Sequence, residues 1–280
     1  VVGIATTIAQ FKPTIDMAKP IMEAFPEVSE GKLVLERLSG SIELNNVSFR
    51  YNENMPNVVD NLSLKIRPGQ YVAIVGSTGC GKSTLMRIML GFEKPQKGAV
   101  YYDGKDLSGI DLKSLRRKIG VVMQNGKLFQ GDIYSNIVIS APQLSMDEAW
   151  AAAEMSGIAE DIRRMPMGMH TIISEGSGGI SGGQRQRLEI ARVLAQDPTI
   201  IILDEATTAL DAKTEFEVVK AIESRGITCI VIAHRLSTIR NADTILVIQD
   251  GRITESGNHD ELMLRGGFYS TLYNSQFAEN

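Results

Sequence analysis

The stretch GSTGCGKST, Gly76 to Thr84, limits what this chain can fold into more than any other. Gly76, Gly81, Lys82 and Ser83 satisfy G-x-x-x-x-G-K-[ST], a loop whose backbone N–H groups wrap phosphates. In such a loop Lys82 reaches the β and γ groups and Ser83 ligates magnesium, while Ser77, Thr78, Gly79, Cys80 and Thr84 complete the cradle. The motif has meaning only between a strand and a helix, and both flanks are present. NLSLKIRPGQYVAIVG reads as a strand, a turn at Pro68-Gly69 and an apolar strand ending at Gly76, and KSTLMRIMLG has helical spacing with Gly91 as its stop. A chance glycine turn would not stand in that order.

Elsewhere, SIELNNVSFRY alternates as a half-buried strand does. Ser145 to Glu148 form a capping box before the alanine-rich DEAWAAAEMSGIAEDIRRM, and a helical block is expected over about 131–195. TIIILDE, ITCIVIAH and ADTILVIQ are continuously apolar, as strands of a parallel sheet covered on both faces are. The expected fold class is α/β.

The 280 residues, 43% hydrophobic and 22% charged, suffice for one large or two small domains. With 29 Lys+Arg against 33 Asp+Glu the net charge is -4, which argues against a sequence-independent grip on nucleic acid. Two cysteines, Cys80 and Cys229, without metal-ligand spacing predict free thiols in a reducing compartment. The apolar start ends before Gln10 and Lys12, short of the roughly 20 residues a membrane helix needs. No Met or basic run opens the chain, so a piece of something longer is expected, with a linker through Lys32 and the folded domain from about Ser41.

Two carboxylates end the apolar run 200–205. A buried strand there would deliver Asp204 beside magnesium and Glu205 to a water facing the γ-phosphate. Gln124, after IGVVM, is placed to reach both metal and water from a sheet edge, although loop glutamines mostly face solvent. His234 ends CIVIAH and is a candidate partner for the γ-phosphate or the water, against the commoner structural role of a lone histidine. His170 and His259 are given no catalytic role. A second phosphate-like start precedes an amphipathic helix in GISGGQRQRLEIARVLA, where small residues and a hydroxyl meet a helix N-terminus. Residues 184–187 are either a solvated face or part of an interface.

The ordered set Tyr51, GSTGCGKST, Gln124, ISGGQ, IIILDE, TALD and His234 resembles the nucleotide-binding domain of ATP-binding-cassette (ABC) transporters over about 41–275. Ile180 and Thr208 replace the usual leucine and serine. The resemblance implies a P-loop NTPase (RecA-like) core with an antiparallel β subdomain and an inserted helical subdomain, binding ATP and Mg2+. It implies that Tyr51 stacks on adenine, Gln124 lies in the Q-loop and contributes to the metal site with Ser83 and Asp204, and Asp211 ends the D-loop. Ser181, Gly182, Gly183 and Gln184 would form the signature motif that caps the ATP of a second copy in a head-to-tail homodimer. Residues 1–40 resemble the link from an exporter's missing transmembrane domain, expected in the same full-length chain at the cytoplasmic side of a bacterial inner membrane. The block from Pro166 to Arg187 looks most like exporters of peptides and bacteriocins, with lipid or drug exporters as the alternative and a non-transport ABC ATPase behind them.

Overall fold

A computed structural model describes residues 2–23, 31–124, 126–174, 179–233 and 235–278. The chain divides into two units, Val1–Lys32 and Leu33–Asn280. The first is helix α1 (Val2–Met22), which continues through Pro13 and Pro20 where the sequence suggests only a linker. Interior prolines remove a backbone donor, so the pattern carries stop signals that this segment does not obey. Among the described residues no helix is long and apolar enough to cross a membrane.

The second unit begins at Leu33, ahead of the expected Ser41. Leu33 bridges to Ile110, and Leu35 is buried with its N–H donating to Ser114 Oγ. A single bridge and one buried leucine have no periodicity, which is why the sequence hides this start.

From there the chain runs β1 (Ile42–Phe49), β2 (Val59–Ile66), β3 (Tyr71–Val75), α2 (Lys82–Met89), β4 (Lys97–Tyr102), β5 (Lys105–Asp106), α3 (Leu112–Arg116) and β6 (Ile119–Val122). The helical block holds α4 (Ile133–Val138), α5 (Met146–Met155), α6 (Ala159–Arg164) and α7 (Gly182–Leu194), with β7 (Gly131–Asp132) paired to β8 (Ile172–Ile173). The remainder is β9 (Ile200–Asp204), α8 (Ala212–Ser224), β10 (Thr228–Ile232), α9 (Leu236–Arg240), β11 (Thr244–Gln249), β12 (Arg252–Gly257), α10 (His259–Arg265) and α11 (Phe268–Ala278). The expected capping box at Ser145 and Glu148 opens α5.

Six strands form the main sheet in the order β12-β11-β3-β10-β9-β6, all pairings parallel except β11 with β12. Strands β2-β1-β4-β5 form a separate antiparallel sheet. Every residue of β3 is buried, and its two faces enter different cores. Val72 and Ile74 pack with the antiparallel sheet and α2, whereas Tyr71, Ala73 and Val75 pack toward α7, α8 and the C-terminal helices. Each such aliphatic side chain contributes roughly 1.5–3 kcal/mol, enough for the continuous apolar runs to select a sheet sandwiched between layers. A third core joins α4 to α7.

Glycine is required where β6 meets α7. A Cβ on Gly120 would lie 2.1 Å from Val193 Cγ1 and 3.2 Å from Ile201 Cγ1. Gly120→Ala should therefore destabilise the second unit by about 1–3 kcal/mol through overpacking, read as a lower urea midpoint at unchanged slope. An unchanged midpoint would show that the contact relaxes freely.

Candidate functional site

The carboxyl ends of β3, β6, β9 and β10 lie along one edge of the parallel sheet, where α/β folds bind ligands. The phosphate loop leaves β3 there and enters α2 directly. Gly81, the residue before α2, has φ +105°, and a Cβ on it would stand 2.6 Å from Val58 O. A Cβ on Gly76 would stand 2.2 Å from Ile248 O. These approaches leave no room for side chains, so the loop can turn its amides inward. Lys82, 7% exposed, donates from Nζ to Gly76 O (2.8 Å) and Ser77 O (2.9 Å), so its ammonium lies inside the turn. Cys80 Sγ is 3.8 Å from that ammonium, and Cys80 and Cys229 are both buried free thiols.

A cleft of about 300 Å³ is lined by Thr78, Gly79, Gly81, Lys82, Ser83, Thr84, Gln124 and Glu205, together with Val58 and Ile232. The expected cradle, glutamine and base thus share one space. Gln124 follows edge strand β6, and its Nε2 donates to Glu205 Oε2. Glu205 has φ +51°, a left-handed conformation unusual for a side-chain-bearing residue, and its N–H donates to Ile232 O at 3.0 Å. The bond to β10 holds the strained backbone in place, the condition under which such strain persists at functional sites.

Asp204 ends β9 and lines a neighbouring, larger cleft that also contains Ser83. Ser83 therefore stands between Asp204 on one side and Gln124 with Glu205 on the other. Hydroxyl, carboxylate and amide oxygens suit magnesium, which takes few protein ligands and completes its shell with phosphate and water. The absence of any cluster of three His, Cys, Asp or Glu among the described residues is compatible with that mode. Tyr51 is 54% exposed and packs edge-on against Phe49 with ring centroids 4.9 Å apart. Its hydroxyl is 3.1 Å from Thr84 Oγ1, so the ring stands at the rim of the cradle. His234 lies outside the described residues.

The second glycine cradle is built differently. Ser181 caps α7 by accepting from Gln184 N–H (3.2 Å), while Gln184 Oε1 accepts from Ser181 N–H (3.0 Å). Among the described residues lining the phosphate-loop cleft, none belongs to Ser181–Gln184. Gly183 also has a structural reason to be glycine, since a Cβ there would meet Ala209 O at 2.9 Å. Residues 184, 186 and 187 make bonds within the chain. Gln184 Nε2 donates to Asp161, Arg187 to Gly157 O and Asp161, and Gln186 binds Thr208 and Ala209. Asp211 caps α8, accepting from Lys213 and Thr214; the hydrogen bonds from Thr214 hold its carboxyl below the usual carboxylate range. His170 Nδ1 lies 3.0 Å from Asp132 Oδ2 and His259 Nδ1 lies 2.8 Å from the Tyr269 hydroxyl, so both rings are engaged away from the cradle.

A phosphate cradle that shares its cleft with a bridged glutamine and glutamate makes this a nucleotide-binding domain of the phosphate-loop class. The chain belongs to the ABC transporter family, which it matches over residues 59–208, and it is therefore an ATP-binding domain of an ATPase family. It is 43% identical over 261 residues to the cyclolysin secretion/processing ATP-binding protein CyaB of Bordetella pertussis, covering 92% of this chain and 37% of that protein. It is 42% identical over 259 residues to the leukotoxin translocation ATP-binding protein LktB of Mannheimia haemolytica, covering 91% and 37% respectively. The chain thus spans little more than a third of the length of these relatives. Among solved structures, a bacterial Atm1-family ABC exporter with ATP bound superposes with a TM-score of 0.85 at 37% identity, over 94% of this chain and 46% of that one.

Sequence patterning missed Glu189, which reads as one polar position in LEIARVL. It is 5% exposed, and its Oε1 has no hydrogen-bond partner among the described residues. Its carboxylate fills the space over Gly126, where a Cβ would fall 2.2 Å from Oε2. Burial raises its pKa, against the opposing pull of Arg192 and Arg185. The folded state then holds the proton more tightly than the unfolded chain. The stability this contributes is fully present below the ordinary value of 4.5 and is lost as pH rises through the folded pKa. Glu189→Gln should remove that loss, so its urea midpoint should pull ahead of the parent's as pH climbs from about 4 to 8. A gap independent of pH would contradict this.

Proposed function

We propose that this chain is the ATP-hydrolysing motor of a membrane exporter, working as a head-to-tail homodimer that shares two ATP molecules. The observation carrying this reading is that Glu205, Gln124 and the phosphate loop meet in one cleft while Ser181–Gln184 stands outside it. A phosphate loop leaves the outer face of the γ-phosphate open, and a helix N-terminus with a serine cap is suited to close it from a second copy. In that arrangement Lys82 and the amides of residues 77–84 bind the phosphates, and Tyr51 stacks on the base. Glu205 orients and deprotonates the attacking water, Gln124 fixes the Glu205 carboxylate, and His234 holds the γ-phosphate. Ser83, Asp204 and Gln124 would hold magnesium, which supplies charge neutralisation to the phosphates.

The transport role follows from the family and from the relatives' printed roles in cyclolysin secretion and leukotoxin translocation. They support a peptide or protein cargo, a transmembrane domain in the same full-length chain, and a position at the cytoplasmic face of the membrane. An apolar cleft of about 710 Å³ beside Ser83, lined by Met86, Leu90, Phe92, Val121 and Met123, is a suitable seat for a connecting helix of that membrane domain. Such a helix would press next to Gln124 and the segment running to Ile133.

Glu205→Gln keeps the shape and the bond to Gln124 but removes the base. Its ATPase kcat should fall by about 10²–10⁴-fold while ATP affinity stays within about threefold. Turnover close to the parent's would remove Glu205 from the role of base.

A further inference from the structure

Glu215, in the first turn of α8, is 2% exposed and takes no part in the chemistry above. Its Oε1 accepts from two hydroxyls, Thr207 Oγ1 at 2.6 Å and Thr238 Oγ1. A carboxyl group so far from water is costly unless hydrogen-bonded. The two threonines belong to different segments of the chain. Thr207 lies in the loop between Glu205 and Asp211, and Thr238 lies in α9, which follows residue 234.

Other bonds reinforce the same junction. Arg235 Nη1 donates to Thr207 O (3.1 Å) and to Leu210 O, and the Tyr71 hydroxyl donates to Thr238 O (2.7 Å). On its far side the loop is held by α7, where Gln186 Oε1 accepts from Ala209 N–H (2.8 Å) and Gln186 Nε2 donates to Thr208 Oγ1 (3.2 Å). Glu215 is the buried acceptor on which the loop and α9 converge.

We propose that Glu215 is a positioning residue that locks the loop 206–211 and the segment 235–240 into one register, so that displacement of the loop by a docking partner is passed to the segment that directly follows residue 234. The inference deepens the reading above and rests on Glu205 and His234 acting at the γ-phosphate.

The test uses the full 280-residue chain, with ATPase kinetics, nucleotide binding and amide hydrogen exchange read together. Glu215→Ala should lower kcat about tenfold or more while leaving ATP affinity within about twofold. Exchange in 206–211 and 235–240 should accelerate together, with α2 unchanged. Glu215→Gln keeps a carbonyl oxygen able to accept from both hydroxyls, and should retain at least about half of the parental kcat. Adding Thr238→Ala to Glu215→Ala should change kcat by less than about twofold, because the shared node is already broken. If Glu215→Ala does not fold, Thr238→Ala alone should cost about threefold in kcat and loosen residues 206–211. The proposal is overturned by parental kcat in folded Glu215→Ala, by Glu215→Gln being as impaired as the alanine variant, or by exchange rising in only one segment. Glu205→Gln run alongside separates the outcomes, because full turnover there defeats the base assignment, while the exchange coupling is judged on its own.

Discussion

The close approach of three backbone segments around the phosphate loop is the constraint on which the rest of the site depends. Ile248 O, Val58 O and the loop come so near at Gly76 and Gly81 that only glycine fits, and the space saved is what lets the loop amides point inward. Ile248 reaches that spot because β11 pairs with β3, and Val58 because the turn before β2 returns over the loop. The fully buried strands β3 and β10 supply the rigidity; a softer scaffold would let the loop open and lose the geometry that gives an amide cradle its affinity for anions.

The same sheet edge sets the chemistry. Strand β9 delivers Asp204 and Glu205 in succession, and the left-handed turn at Glu205 separates their directions, one carboxylate lining the cleft with Met123 and the other lining the cleft with Gln124. Gln124 stays at an edge strand whose following segment is gripped by the helical block: Arg192 donates to Lys127 O and Asn136 O, and Asn136 exchanges bonds with the backbone of Phe129. A shift of α7 against the sheet is thereby felt close to the residue that touches Glu205. The second cradle, on the other end of α7, does not line the phosphate-loop cleft among the described residues.

Much of this was visible in the residues. The phosphate loop, the continuous strands, the capping box at Ser145 and the strand-end carboxylates are local patterns, and the structure places each where the pattern implies. The start at Leu33 and helix α1 were not visible, the first because it depends on one long-range bridge and the second because its prolines argue against it. Glu189 and Glu215 were invisible for a different reason. A charged residue in an amphipathic helix reads as solvent-facing, and only tertiary contact shows that one lies under Gly126 and the other between two threonines. Residues 184–187 read as either a solvated face or part of an interface, and only the structure shows Gln186 bonded to the Thr208 hydroxyl and the Ala209 N–H and Arg187 to Asp161.

The central claim is that Ser181–Gln184 serves a nucleotide held by another copy. It is tested most directly by the mass of the Glu205→Gln chain, measured by light scattering after gel filtration with magnesium-ATP and again with ADP. The account expects a dimer with ATP and a monomer with ADP, because the γ-phosphate is the group both cradles must share. A monomer in both, with ATP demonstrably bound at a concentration well above its Kd, would contradict it.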